Sequence, residues 1–434
     1  MNVFFREVHL VGLENIPAEG ERPVIFAGNH PNSLIDPILV VVTSGRIVHF
    51  AAKEKLFKFP MSFVLTALGA VPIARAMDSK AGEKRDNSGA LVALQNVLGA
   101  GRCAGIFPEG LSHDQAQLQR VRSGAARIAL GTADAHPSAG LVIVPIGLTY
   151  VHRKSFRSQV LVQYGAPIEV DAPWVERHHA DSREAAGALT AQIEAGIRAL
   201  TINAPDWETL RVLDGVRRLY QPENVAMADR VELSRRFCNA YLDLAEDPRV
   251  VELFGHMKAY LDELDDLGLD DRDLREGVRP AKAFRNLLRL LLFLPLALPG
   301  LPILLPLYIA IDMAGRHFSP RNDVVGTSRV VSGLFAAFLV YLGIPLLVAV
   351  AIGPLTGLGV LLTLLISGFA CVVVLERSGT LLRLFSRAIA VFTLDRHLSQ
   401  LRTRRAELEA EVVALVEELI PADMVPLFPR DSRS

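Results

Sequence analysis

The sequence predicts an α/β domain with a mostly buried sheet, followed by a helical domain and a membrane-embedded helical region. Three observations carry that reading. Short apolar runs alternate with amphipathic stretches as far as about residue 170; apolar residues then recur at helical spacing among Glu, Asp and Arg; and no charged residue occurs between Arg329 and Glu376. The boundaries implied are 1–175, 176–280, 281–376 and a cytoplasmic amphipathic C-terminal segment, 377–434.

Within the first segment, Val24 to Gly28, Ile47 to Ala52, Cys103 to Phe107, Leu141 to Tyr150 and Val160 to Tyr164 read as strands, because each is a short apolar run bounded by turn residues. Ser88 to Leu98 and Val121 to Ala133 read as the helices between them. Pro31 biases His30 toward an extended backbone, and Ser33 is expected to cap a helix running from Ile35 through Asp36 to Val42.

Beyond Trp174, the stretches Ser182 to Leu200, Trp207 to Tyr220, Ala228 to Leu244 and Arg249 to Leu267 form a soluble helical domain, with Asp262 to Asp266 as a solvated acidic face. Residues 330–375 can hold two membrane-crossing helices, each needing ~20 apolar residues, joined near Gly353, Pro354 and Gly357. Residues 290–311 are also uncharged but contain Pro295, Pro299, Pro302 and Pro306. A break at Pro299-Gly300 leaves each limb too short to span at ~1.5 Å per residue, so a re-entrant hairpin is expected. That topology keeps Arg275 to Arg289, Arg316 to Arg329 and Arg377 to Arg387 on one face, the cytoplasmic one if positive loops stay inside. In the last segment, Leu401, Leu408, Val412, Leu415 and Leu419 make an amphipathic helix, which packing on the helical domain or self-association into a homo-oligomer explains equally well.

The chain has 434 residues, half of them hydrophobic, and a net charge of −1. Bulk attraction to nucleic acid is therefore not implied, and no helix-turn-helix or zinc-finger spacing is found. Cys103, Cys238 and Cys371 are far apart and odd in number, which suggests neither a disulfide framework nor a thiolate metal site and suits a reducing cytoplasmic face. Met1 to Leu10 includes Arg6 and Glu7 and lacks the apolar run of a signal peptide.

The chemistry is concentrated in two expected strand-end loops. In Asn29-His30-Pro31-Asn32-Ser33-Leu34-Ile35-Asp36, a carboxylate in the first turn of a helix can reach back to one imidazole nitrogen and leave the other to take a proton from a hydroxyl. His30 is then the base and Asp36 its partner, and neither a serine nor a cysteine nucleophile is needed. Phe107-Pro108-Glu109-Gly110 presents a second carboxylate at a turn. His113 and Asp114 form a further pair, but a zinc centre wants three protein ligands, so no metal is expected.

Four ordered blocks resemble the phospholipid and glycerol acyltransferase family: Asn29 to Asp36, Gly69 to Arg75, Phe107 to Gly110 and Val142 to Gly147. The resemblance covers roughly Phe4 to Tyr220. It implies an acyl-CoA or acyl carrier protein donor, a glycerol phosphate acceptor and no cofactor. By that likeness His30 and Asp36 are catalytic, Glu109 and Gly110 bind the acceptor, and Arg75 grips its phosphate, as a guanidinium can through two parallel hydrogen bonds. Two departures stand out. Five residues rather than four separate His30 from Asp36, and Leu111-Ser112-His113-Asp114 replaces the continuation that supplies a phosphate-binding arginine, so Lys53, Arg120 or Arg122 must supply charge, with Ser112 and His113 beside them. Both departures, and Asn203 to Tyr220, are similar to the branch of fungal glycerol-3-phosphate and dihydroxyacetone phosphate acyltransferases.

The expected function is acylation of glycerol-3-phosphate or dihydroxyacetone phosphate at a plasma or inner membrane, in contact with membrane lipids, with no nucleic acid partner. A lysophosphatidate acyltransferase is the alternative within the family. A non-catalytic lipid-binding scaffold would have no reason to keep His30 and Asp36 together, and a transporter would need intramembrane charge that 330–375 lacks.

Overall fold

The computed structural model describes residues 4–54, 57, 62, 65–66, 69–73, 88–153, 157–222, 225–276, 280–317, 319, 321, 324–393 and 395–419. The chain divides into two compact units: Met1–Leu210 with Asn224–Asn239 and Asn322–Thr327, and Arg211–Glu223 with Ala240–Arg321 and Ser328–Ser434.

The first unit is built on one mixed sheet of eight strands: β1 (Phe5–Val11), β2 (Val24–Gly28), β3 (Val48–Lys53), β4 (Val71–Ile73), β5 (Cys103–Ile106), β6 (Val142–Tyr150), β7 (Ser158–Tyr164) and β8 (Ile168–Glu169). Their order is β1-β7-β6-β2-β5-β3-β4, with β8 on β6. All pairings are parallel except β6 with β7 and with β8. Every residue of β2 is buried, as expected of a central parallel strand covered on both faces.

Alternation along β2 assigns the faces. Ile25 and Ala27 join Ala104 and Ile143 in a core closed by α2 (Ser88–Gly99), α3 (Gly124–Ala135) and, after the short α4 (Ala172–Ala180), α5 (Ser182–Arg198). Phe26 faces the other way and meets the Tyr164 ring edge-on. Tyr164 in turn bonds Thr43 of α1 (Ile35–Ser44), which buries Ile35, Leu39 and Val40. The expected strands and helices lie within a few residues of these bounds; β1, β4 and β8 were not anticipated. Ser33 does not cap α1: the cap position is Leu34, without a side-chain cap bond, and Ser33 has a left-handed backbone at φ 46°.

Helices α6 (Trp207–Tyr220), α7 (Met227–Leu244), α8 (Pro248–Asp266), α9 (Asp271–Glu276), α10 (Pro280–Ala297), α11 (Leu301–His317), α12 (Val325–Phe338), α13 (Ile344–Ala351), α14 (Pro354–Thr393) and α15 (Asp395–Leu419) make up the rest. In the second unit α15 packs along α8, burying Leu398, Leu401, Leu408 and Val412 together with Leu253, Met257, Tyr260 and Leu264. Intramolecular packing is thus one use of the C-terminal apolar stripe. A buried network ties the ends: Tyr260 donates to Asp271 at 2.8 Å and Arg405 donates to the same oxygen at 2.9 Å.

Two stretches are long and apolar enough to cross a membrane, Val325–Ala351 and Pro354–Leu375. A five-residue π-helical turn, Leu339–Gly343, precedes Pro345, whose missing N–H would leave a gap in a regular α-helical ladder. Close approach of the two stretches depends on small residues, since a Cβ at Gly357 would lie 2.5 Å from that of Ala349. Separately, Phe284–Ala297 and Leu301–His317 form a pair bent by 105°. Ser367 of α14 clamps the bend, accepting from Gly300 N at 2.7 Å and donating to Ala297 O at 2.9 Å.

Candidate active site

Because β2 and β5 are parallel neighbours, their carboxyl ends open at the same edge of the sheet, where ligands of open α/β sheets bind. The loop after β2 carries His30 and the loop after β5 carries Glu109. They are bonded directly: the His30 backbone N–H donates to Glu109 Oε1 at 2.8 Å, and His113 N donates to His30 O at 3.2 Å.

Asp36 lies in the first turn of α1 and is fully buried, at 0% exposure. Its Oδ2 accepts from His30 Nδ1 at 2.8 Å and from the Asn32 amide at 2.7 Å, and its Oδ1 accepts from the Tyr150 hydroxyl at 2.5 Å. A carboxylate surrounded by donors fixes the proton on Nδ1 and leaves the lone pair on Nε2. The imidazole is further held by stacking on Phe107, with ring centroids 4.1 Å apart, and Phe107 stacks in turn on Phe50.

Tyr150 went unrecognised as a site residue. Gly28 at the end of β2 pairs with Ile146, so β6 runs four residues past its neighbour and brings Tyr150 over the His30 loop. Only the parallel register reveals this. Burial, then the neighbouring Asp36 carboxylate, raise the Tyr150 pKa well above the usual tyrosine value, so the hydroxyl keeps its proton and remains a donor. Asn29 extends the ladder with its side chain, accepting from Leu148 N at 2.8 Å and donating to Leu148 O at 3.0 Å.

Glu109 is as buried as Asp36, and both of its oxygens are held by protein donors. Besides His30 N, it accepts from Gln119 N at 2.7 Å and from His113 Nε2. His113 Nδ1 accepts from Gln115 N at 3.2 Å, so both ring nitrogens are engaged. Glu109 thus braces three pieces of backbone and loop against each other. Gly110 follows at φ 77°, a region glycine enters without strain, and a Cβ there would come within 3.3 Å of the Arg122 guanidinium. Ser112 is buried, and Arg120 and Arg122 are exposed. Among the described residues Arg122 has no carboxylate partner. Arg75 lies outside the described residues, as does the side chain of Lys53, whose backbone ends β3 at the same edge of the sheet.

A further arginine belongs to the site. Arg153 binds Asp114 Oδ1 at 2.9 Å, His113 O at 3.2 Å and Pro31 O at 3.3 Å, and lies over the Trp207 ring. Trp207 Nε1 donates to Asp114 O at 3.1 Å, while Asn203 Oδ1 accepts from Leu118 N at 2.8 Å. The Asn203 to Trp207 stretch therefore pins the loop that follows Glu109. Its distinctive sequence has a mechanical use.

Residues 7–149 match the Acyltransferase family, and residues 212–424 match the glycerol-3-phosphate acyltransferase 2 C-terminal domain. Glycerol-3-phosphate O-acyltransferase 2 of Saccharomyces cerevisiae is 31% identical over 71% of this chain and 56% of its own length. Glycerol-3-phosphate O-acyltransferase 1 of the same yeast is 32% identical over 56% of this chain and 35% of its own. The chain thus spans about half, or less, of the relatives it matches. A solved structure, the 1-acyl-sn-glycerophosphate acyltransferase of Thermotoga maritima, overlaps 46% of this chain and 73% of its own at 19% identity, with a TM-score of 0.32. The histidine and aspartate loop thus lies in a segment similar to the Acyltransferase family, and the same chain carries a segment similar to the glycerol-3-phosphate acyltransferase 2 C-terminal domain.

Proposed function

We propose that the protein is a membrane-bound O-acyltransferase that moves a fatty acyl group from acyl-CoA, or an acyl carrier protein, to glycerol-3-phosphate or dihydroxyacetone phosphate. The observation that carries the reading is the His30 imidazole with Nδ1 held by Asp36 and its Nε2 lone pair free to act as a base. The acceptor O–H gives its proton to Nε2 as the oxygen attacks the thioester carbonyl carbon. The C–S bond then breaks, and the departing thiolate takes the proton back from the imidazolium. No acyl-enzyme forms, and the base returns to its starting state.

Arg122, beside Gly110, is the described arginine best suited to the acceptor phosphate, with Arg75 and Lys53 as further ligands. Glu109, with His113, braces the loops that would carry the phosphate ligands, and Ser112 lies beside them in sequence. The acceptor class is supported by the C-terminal match at 212–424 and by the yeast relatives. The catalytic unit faces the cytoplasm, with residues 290–311 re-entering. Ser367 supports the re-entry, because the bend is held against a residue inside Pro354–Leu375 rather than at its end, and the arginines flanking 290–311 support the cytoplasmic side.

The test supplies membranes containing the full chain with labelled acyl-CoA and, separately, glycerol-3-phosphate, dihydroxyacetone phosphate and lysophosphatidate. Product from one of the first two is expected, and His30→Ala should lower it by about 100-fold to 10,000-fold. Labelling of lysophosphatidate alone would move the protein to the second acylation step. Undiminished product from His30→Ala would remove the mechanism.

A further inference from the structure

We infer that the opening turn of α12, Gly326 and Thr327, positions the His30–Asp36 loop for catalysis, an inference that rests on the acyl-transfer reading. These two residues lie in the same compact unit as the loop, while the helix they open continues to Ala351 as a stretch able to cross a membrane. Residues 293 positions apart in sequence meet here, since Leu34 N donates to Thr327 Oγ1 at 3.1 Å.

The loop needs an outside support at this point. Helix α1 has Leu34 at its cap position with no side-chain cap bond, and the preceding Ser33 takes a left-handed backbone that residues other than glycine adopt at a cost. Two neighbouring amides are held from within the loop, Asn32 N by Asp36 and Ile35 N by Asn32 O. Leu34 N, between them, is held by Thr327 from outside it.

Gly326 closes the other side. A Cβ there would lie 2.7 Å from Asn32 Oδ1 and 3.2 Å from Ile35 Cδ1, so even a methyl group must push the loop. Asn32 is the wrong residue to push. Its amide holds Asp36 Oδ2 at 2.7 Å, the same oxygen that fixes His30 Nδ1, and its side chain donates to Arg153 O at 3.2 Å. A displacement at Gly326 or Thr327 therefore passes through one residue to the carboxylate and through a second to the base. Neither Gly326 nor Thr327 touches a reacting atom; both act on the dyad by position.

The test compares Thr327→Val, which keeps the shape and loses the acceptor, with Thr327→Ser, which keeps the acceptor, and with Gly326→Ala, all in the full chain reconstituted in lipid. Two readouts are taken: kcat and KM for both substrates, and the rate at which diethyl pyrocarbonate modifies His30, followed by peptide mass spectrometry. Thr327→Val and Gly326→Ala should lower kcat about 10-fold to 100-fold with KM little changed and should raise the His30 modification rate, since a small misplacement of reacting groups costs that much; Thr327→Ser should behave as wild type. The inference is overturned if Thr327→Val matches wild type in both readouts, if only KM moves, or if Thr327→Ser fails as Thr327→Val does. Should the unaltered protein turn over none of the acceptors, the acyl-transfer reading falls, while the modification rate still decides whether Thr327 and Gly326 position His30. If Thr327→Val does not fold, Gly326→Ala decides the question by the same two readouts.

Discussion

Asp36 accepts three protein donors, and each restrains a different motion of the dyad. The Tyr150 bond is the most separable of them. Tyr150→Phe leaves a buried carboxylate oxygen short of a donor, which is expected to cost about 1–3 kcal/mol and to lower turnover roughly 10-fold, measured by steady-state kinetics on membranes. Unchanged turnover would make Tyr150 a packing residue. Tyr164 gives a prediction in pH. Burial raises its pKa from 10 to about 12, against a smaller opposing effect of the Thr43 bond. The folded state then favours the neutral ring, so this stability is complete below about pH 10 and is lost as pH rises toward 12. At about 1.4 kcal/mol per unit the loss approaches 3 kcal/mol, and Tyr164→Phe should flatten that part of the stability profile. Residue-level chemistry was partly legible in the sequence. His30 and Asp36 are near neighbours along the chain, so spacing alone joined them. Tyr150 and Arg153 reach the site only through strand register, and Glu109, expected to hold the acceptor, is occupied by His30 N, Gln119 N and His113.

Elements were easier to read than caps and contacts. Central strands advertised themselves as apolar runs because both faces are covered, whereas β1 carries Arg6, Glu7 and His9 at the sheet edge and offered no such signal. Ser33 does not cap α1 because a serine before a helix is only one way to satisfy the first amides, and here Asn32 O takes Ile35 N and Thr327 takes Leu34 N. Two substitutions test the packing. Gly105 lies on β5 beneath Phe50, and a Cβ would sit 2.1 Å from that ring. Gly105→Ala should therefore cost about 1–3 kcal/mol in thermal unfolding by overpacking and displace the Phe50–Phe107–His30 stack; Phe50→Leu in the same chain should recover part of the loss. In the second unit, Asp271→Ala takes the acceptor from the Tyr260 hydroxyl and leaves Arg405 with Glu409 alone. Removing one partner of a buried pair typically costs about 3–5 kcal/mol, so a clear drop in melting temperature is expected, and its absence would mean that Glu409 suffices for Arg405.

At the scale of the molecule, the proposed reaction joins an apolar acyl chain to a soluble glycerol phosphate, and such a reaction belongs where both arrive, at a membrane face. The charge-free stretch 330–375 was visible in the sequence because composition alone defines a span, and the proline-rich 290–311 was visible as a break for the same reason. What composition could not show is the Ser367 clamp on that bend, a contact between residues about 70 positions apart. With re-entry, Arg321 stays on the catalytic side. The three native cysteines are buried, so Arg321→Cys can be labelled with little background: an impermeant maleimide applied outside intact cells should leave it unmodified, and modification there would mean that 290–311 crosses the bilayer. The reaction itself is probed most directly at the carboxylate. Asp36→Asn keeps the shape but offers an N–H toward His30, which drives the imidazole proton to Nε2 and removes the lone pair that takes the acceptor proton. Acyl transfer from labelled acyl-CoA at neutral pH should fall by about 10,000-fold, the scale of such a tautomer reversal, with KM for the donor little changed. A rate within about 10-fold of the unaltered protein would mean that His30 is not the base held by Asp36.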